Sequence, residues 1–250
     1  IGMFLQSTLS AYDLGYIGIL DLVVRLQAMF DTLSKLELYR GHLLNWYDTQ
    51  SLEPLAPRYV STVDSGNLAG SLIVVKQTCL AFPDAAVLSA QRWQGLLDTL
   101  GLLEASLDQL LTSSPDAPVA ALQAYTAALR QQIHAALHTP EHWTTVTVAL
   151  TEDGWTELSR LIVVLLEAEA STPDSEMLSG LRITSERVYH HLQNMQRDLD
   201  LFLPWLLALH QPPMLFTQPD TSPLIVANWQ ALVAALPLAP RLHEIDAICD

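Results

Sequence analysis

The chain has 250 residues, 50% of them hydrophobic and only 16% charged, with 27 acidic against 12 basic side chains and a formal net charge of −15. So acidic a surface, with Lys35 and Lys76 as its lysines, repels phosphate backbones and anionic headgroups and argues against a nucleic-acid partner. The length suffices for one large domain or two small ones.

Apolar residues recur every three or four positions through Ile19, Val23, Leu26, Phe30 and Leu33, which predicts an amphipathic helix over roughly 17–39 after a shorter one near 2–12. Residues 41–70, GHLLNWYDTQSLEPLAPRYVSTVDSGNLAG, break this rhythm with turn formers, and short pieces within 41–48 and 57–61 are placed to pair as a hairpin around Glu53-Pro54. A helix follows from near Val63, closed by Pro83. Trp93, Leu96, Leu100, Leu103, Leu107 and Leu110 mark the next helix, ending at Ser113-Ser114-Pro115. Val119, Leu122, Tyr125, Leu129, Ile133 and Leu137 mark another, ending before Pro140. Leu158, Leu161, Ile162 and Leu165 lie on a helix for which Thr151-Glu152-Asp153 supplies a cap and first-turn acids. The longest pattern runs from Asp174 to His210, with Pro204 set to kink or divide it. Gln211 to Pro223 holds four prolines and reads as an extended loop, before helices at 224–236 and at the end of the chain. The fold class is all-α, with no tandem motif.

Several chemistries find no support. The apolar runs Leu158–Leu166 and Leu199–Phe216 fall short of the roughly 20 clean residues that cross a bilayer, so no membrane insertion by this segment and no signal peptide are predicted. Cys79 and Cys249 lie far apart and read as free thiols of a reducing compartment. His190 and His191 are adjacent, so on a helix they cannot face one ion, and neither has ligands at zinc spacing; no metal is predicted. GxGxxG and GxxxxGK[ST] are both absent, and no cofactor is expected.

The 41–70 segment is the stretch that reads as a site. Trp46 and Tyr47 offer flat apolar faces, while Tyr59, Asp64, Ser65 and Asn67 offer hydrogen-bonding groups, a combination that suits a sugar with its apolar ring faces and hydroxyl edges. On extended backbone neighbouring side chains point oppositely, so one of Trp46 and Tyr47 lines a cleft and the other packs. Asp64 is the candidate carboxylate, one turn from Asn67; Ser61-x-x-Asp64 is equally a capping box whose acid serves the helix dipole. Asp48 reads as the cap of the turn through Ser51 as well as a ligand contact. Arg58 is placed either to hold a carboxylate or a sugar hydroxyl or, as such arginines more often do, to pin the hairpin by pairing with an acid such as Asp48 or Glu53.

The run NWYDTQSLEPLAPRYVSTVDSGNLAG (45–70) closely resembles the middle region of bacterial cyclic β-1,2-glucan synthases, and so do residues 1–49 and the stretch around Gln196-Arg197-Asp198-Leu199 near Trp205. Between about 84 and 190 the similarity is limited to a pattern of helices. The resemblance implies a glucoamylase-like (α/α) barrel with alternating inner and outer helices, tied to the transglycosylation that closes a glucan ring. This chain would be its N-terminal half within a larger membrane protein, lying on the cytoplasmic side of the bacterial inner membrane. Its partners would then be β-1,2-glucan and the remaining half of the barrel. The main catalytic acids would fall in that other half, leaving Asp64 as the one candidate here. The family's pattern has histidine after the AG of NLAG, where this chain has Ser71.

Two features fit an excised piece: the chain opens at Ile1 inside an apolar pattern, and its apolar surplus predicts a face covered by further protein and self-association of the isolated piece. The same surplus with stacked helices also fits a non-catalytic helical scaffold that binds another protein, in which the aromatic segment is a structural plug.

Overall fold

The structure is a computed structural model, and it describes residues 1–113, 117–168, 175–210, 212–218, 220–237 and 240–249. It is helical, with one two-stranded sheet among the described residues. Two compact units are present: Ile1–Asp13 with Ile19–Ala85, and Leu14–Gly18 with Ala86–Asp250.

The first unit comprises α1 (Gly2–Asp13), α2 (Ile19–Leu33), β1 (Leu38–Tyr39), β2 (His42–Leu43) and α3 (Thr62–Ala81). The predicted helix over 17–39 stops early, because Leu38 and Tyr39 pair with Leu43 and His42 around an Arg40-Gly41 turn whose φ values are 51° and 84°. Two successive left-handed residues match the twist of a tight hairpin, and Gly41 adopts that conformation without cost. β2 therefore falls within the predicted 41–48 piece, but its partner is β1, ahead of that piece, and not 57–61. The expected pairing around Glu53-Pro54 is reduced to an isolated Tyr47–Pro54 bridge and three flanking backbone bonds.

Leu5 and Leu9 of α1 pack with Leu22 and Leu26 of α2 in this unit's core. α1 and α3 run in the same direction: Gly2 lies against Asn67 and Ser71, and ten residues on, the Tyr12 ring meets Phe82 edge-on at 5.5 Å. The seam is close, since a Cβ on Gly2 would stand 2.9 Å from the Ser71 hydroxyl. That hydroxyl is buried, donating to Asn67 O and accepting from Gln6 Nε2. Only Ser71 and Val75 of α3 are buried, while Val63, Ile73 and Leu80 are exposed. α3 ends at Ala81, and Pro83 sits in the 3-10 turn that follows, as its fixed φ dictates.

The second unit is built on α4 (Ala90–Ser113), which packs against α5 (Ala117–Leu137) and α8 (Ser175–Phe202). Trp93, Leu96, Leu100, Leu103, Leu107 and Leu110 are all buried on α4, as the stripe predicts. Arg130 ties α5 to α4 through Glu104, its Nε donating to both carboxylate oxygens at 2.9 Å. The predicted helix start at Thr151 is not there. Helix α6 (Trp143–Ala149) passes through a π-helical turn, Leu150–Gly154, directly into α7 (Trp155–Ala168). Thr151 caps nothing; its hydroxyl donates back to Thr147 O inside a continuous helix. The Leu199–Phe216 pattern breaks at Leu203, and α9 (Pro204–His210) starts at the proline that cannot continue α8.

The expected loop over 211–223 contains a turn of helix, α10 (Met214–Thr217), whose Phe216 stacks on Trp229 of α11 (Pro223–Ala235) at 4.4 Å. α12 (Leu242–Cys249) closes the chain, tied back by Val87 N donating to Pro240 O. The predicted ends at Ser114-Pro115, Asp174 and Gln211 and the side chain of Cys249 lie outside the described residues. Cys79 is a free, exposed thiol. No described helix is long and apolar enough to cross a membrane.

Buried polar groups collect where the Leu14–Gly18 segment crosses α4 and α8. Arg92 donates to Gly15 O at 2.8 Å, and His191 Nε2 lies 3.1 Å from Arg92 O. A carbonyl only accepts, so Nε2 carries the proton, and Nδ1 faces Thr99 Oγ1 at 3.4 Å. Asp198 is buried with its carboxylate against Gly18, where an added Cβ would fall 1.7 Å from Oδ2. Adjacent histidines thus take opposite environments: His191 is in the core and His190 is exposed.

Candidate functional site

Residues 44–61 fold as an irregular double loop that delivers the chain from β2 to α3. Asn45 N donates to Tyr59 O, Asp48 N to Glu53 O and Leu55 N to Trp46 O, each at 2.9 Å, so the two limbs lie side by side. Side-chain alternation then sorts the aromatics. Tyr47 is half-buried, its hydroxyl donating to Glu37 O and accepting from Leu44 N, both at 2.7 Å. Trp46 points the other way and is 60% exposed. The cleft aromatic of the pair is therefore Trp46, and Tyr47 is its anchor.

Asp48 holds the turn between the limbs. One carboxylate oxygen accepts from Gln50 N at 2.9 Å, Ser51 N at 2.7 Å and Ser51 Oγ at 3.1 Å, an Asx turn that carries the chain into the left-handed Leu52, φ 62°. The Ser51 amide, then the Gln50 amide, hold its pKa below the ordinary carboxylate value of 3.8. A carboxylate whose folded pKa lies below its unfolded one stabilises the fold fully above the unfolded value, and that contribution disappears as pH falls through the folded value. An NMR titration is expected to place the Asp48 carboxyl midpoint below 3.8 and to show the Gln50 and Ser51 amides moving with it.

Arg58 does not pair with Asp48 or Glu53. It pairs with Glu37, whose carbonyl also receives the Tyr47 hydroxyl. Asp48 is already saturated by the turn, and Glu37 precedes β1 on the side that Arg58 reaches. Glu37 is thus the residue that sequence reasoning missed. It lay inside the predicted helix, and only the early end of α2 brings it to the loop.

At the start of α3, Ser61 is the N-cap, with φ −84° and ψ 117°, and its hydroxyl accepts from Asp64 N at 3.2 Å. The capping reading of Ser61-x-x-Asp64 holds for that amide. The Asp64 carboxylate itself is exposed and has no hydrogen-bond or ion-pair partner among the described residues, and Asn67, one turn on, is exposed as well. Tyr59 is 49% exposed. Ser65 differs: its hydroxyl is turned inward, buried and without a partner, so it is not presented to solvent with the others. Ser71 lies in the α1–α3 seam and away from this surface.

The segment therefore presents one large aromatic face, a second half-exposed ring, an unpaired carboxylate and a primary amide from a loop braced by Asp48, Tyr47 and the Glu37–Arg58 pair. An open groove of about 440 Å³ also lies on this unit, lined by Leu9, Tyr12, Val74, Thr78 and Phe82, but none of the candidate residues lines it. Among the described residues no three His, Cys, Asp or Glu side chains gather as a metal site.

The chain matches no protein-family model. It is 45% identical over 116 residues to a cyclic beta-(1,2)-glucan synthase, NdvB, of Rhizobium meliloti (strain 1021). The matched stretch is 46% of this chain and 4% of that much longer relative. Over that part of its length the chain is similar to a cyclic beta-(1,2)-glucan synthase, in line with the resemblance its sequence carries.

Proposed function

We propose that residues 41–70 form one wall of a β-1,2-glucan-binding cleft, and that the chain is the N-terminal half of a glucoamylase-like (α/α) barrel that processes glucan by transglycosylation. The observation that carries this reading is the Trp46 ring, 60% exposed on a loop whose remaining polar groups brace it. Exposing a tryptophan face forfeits burial, and a sugar ring with its axial C–H groups is the ligand that such a face stacks upon. Tyr59, Asp64 and Asn67 supply hydrogen bonds to hydroxyls beside it. The name of the relative, a cyclic beta-(1,2)-glucan synthase, supports the linkage of this reading.

Two further features support the barrel. In alternating (α/α) architectures, helices of one ring run parallel and touch, with an antiparallel helix of the other ring between them in sequence. α1 and α3 are such a parallel, touching pair, separated in sequence by α2. The exposed Val63, Ile73 and Leu80 of α3 give the face that the second half covers. Glycoside chemistry requires two carboxylates, about 5 Å or about 6.5–9.5 Å apart. Asp64 supplies one position at most, and in this reading the catalytic acid and its partner are both assigned to the other half, with Asp64 contacting the glucan.

The test is calorimetric titration of linear β-1,2-glucan into the intact protein. Trp46→Ala is expected to weaken binding about tenfold, roughly 1.4 kcal/mol, without lowering the melting temperature, because the ring is largely outside the packing. Tyr47→Phe is expected to act on stability instead, by about 1–2 kcal/mol, since it strands the Leu44 amide and the Glu37 carbonyl. If Trp46→Ala and Asp64→Ala leave affinity and turnover unchanged, the segment is structural and the exposed apolar face of α3 favours the protein-binding scaffold.

A further inference from the structure

In the second unit, three rings line up along α7 and α8. The Trp155 and Tyr189 ring centroids are 4.6 Å apart at 33°, and His190 adjoins Tyr189 at 5.7 Å and 49°. Trp155 and Tyr189 are half-buried and His190 is exposed. The polar ends of these rings are unused. Among the described residues the Trp155 indole N–H, the Tyr189 hydroxyl and the His190 imidazole have no hydrogen-bond partner. Two neighbouring rings are pinned by theirs, Trp143 Nε1 donating to Ala136 O at 2.7 Å and the Tyr125 hydroxyl to Gly154 O at 3.2 Å, whereas the buried indole N–H groups of Trp93 and Trp205 are unpaired among the described residues.

Trp155 is also placed by an irregularity. Its amide closes the π-helical turn Leu150–Gly154, donating to Leu150 O and Glu152 O. Such turns insert one residue into a helix at the expense of regular bonding and recur where a side chain must be re-aimed for function. Glu152 and Asp153 on that turn are exposed, and among the described residues their carboxylates make no hydrogen bond or ion pair. Acids beside the rings disfavour phosphate or any anionic ligand, while open donors and acceptors around flat apolar faces favour a neutral polyhydroxyl one.

We propose that Trp155, Tyr189 and His190 form a second carbohydrate platform, on which a glucose unit of a β-linked glucan stacks while Glu152 accepts hydrogen bonds from its hydroxyls. The glucan identity rests on the function proposed above; the platform itself rests on the ring geometry.

The two readings separate in one experiment. With 5-fluorotryptophan in place of the six tryptophans, Trp46→Phe and Trp155→Phe assign two fluorine resonances, which are followed as linear β-1,2-glucan is added to the intact protein. The Trp155 resonance is expected to shift saturably. In Glu152→Gln and His190→Ala, both exposed positions whose replacement leaves the Trp155 and Tyr189 rings in place, its midpoint is expected to rise about fivefold, the loss of one net hydrogen bond, while the Trp46 midpoint stays fixed. A Trp155 resonance that stays still while Trp46 saturates overturns the platform and makes the rings α7–α8 packing. So does a midpoint unchanged in both variants, and so does the absence of any shift at either ring. A Trp155 shift with a silent Trp46 keeps the platform and removes the proposed cleft.

Discussion

Gly15→Ala is expected to destabilise the second unit by about 3 kcal/mol or more, which places it among the severe single substitutions. Gly15 has φ +79°, a conformation that L side chains rarely adopt, and an added Cβ would lie 1.9 Å from Gln91 O, 2.3 Å from Gln91 C and 2.9 Å from Arg92 N. These are backbone atoms of α4 and its entry, so no rotamer change relieves the clash. The segment cannot lift away either, because the buried Arg92 guanidinium holds Gly15 O and a Cβ on Gly95 would stand 2.5 Å from that same oxygen. Chemical denaturation should show the loss as a lowered midpoint. Gly66→Ala is the contrast: on α3 with open space around it, the same change is expected to be neutral or to stabilise by up to about 1 kcal/mol through helix propensity. Equal midpoints for the two variants would show that the crossing is loose.

Acid is expected to weaken the same unit through His191. Burial first, and the Arg92 charge second, push its pKa from 6.5 down to about 3, against a smaller opposing contribution from its hydrogen bond to the Arg92 backbone. The folded unit thus keeps this ring neutral where the unfolded chain protonates it. Its contribution is complete above the unfolded pKa of 6.5 and is lost as pH falls from there toward about 3. Lowering the pH from 7 to 4 should remove about 3 kcal/mol through this group alone. The measurement is the unfolding free energy against pH for the wild type and for His191→Gln, whose amide retains a donor for Arg92 O. The variant should show a flatter profile over that interval, and matching slopes would remove His191 as the cause.

Much of this architecture was legible in the sequence, and the failures have local causes. The α4 stripe from Trp93 to Leu110 was readable because a helix buried along one side must repeat its apolar residues at 3.6. The start of α6 was missed because Thr144, Thr145 and Thr147 interrupt the apolar rhythm, although Thr147 is fully buried. A π-helical turn has a different period, so the acids of Thr151-Glu152-Asp153 looked like a helix beginning. Within the candidate site, the Asp48 turn and the opposed faces of Trp46 and Tyr47 followed from local chemistry, which needs no knowledge of tertiary contacts. The Glu37–Arg58 pair did not, because it depends on where α2 ends. Arg92, His191 and Asp198 were equally invisible as core residues: polar side chains on helices read as solvent-facing until another segment crosses them.

The five-residue turn ahead of Trp155 also constrains how this part of the chain can change length. Each residue of an α-helix advances the next by about 100°, and the wide turn absorbs one residue beyond that period, so removing one residue from Leu150–Gly154 would let regular α bonding run through with the downstream faces nearly in phase. Leu158, Ile162 and Leu165 would keep facing the core, whereas a deletion further along α7 would swing the residues beyond it by about 100°. The turn is thus the place in this helix where losing a single residue costs the packing least.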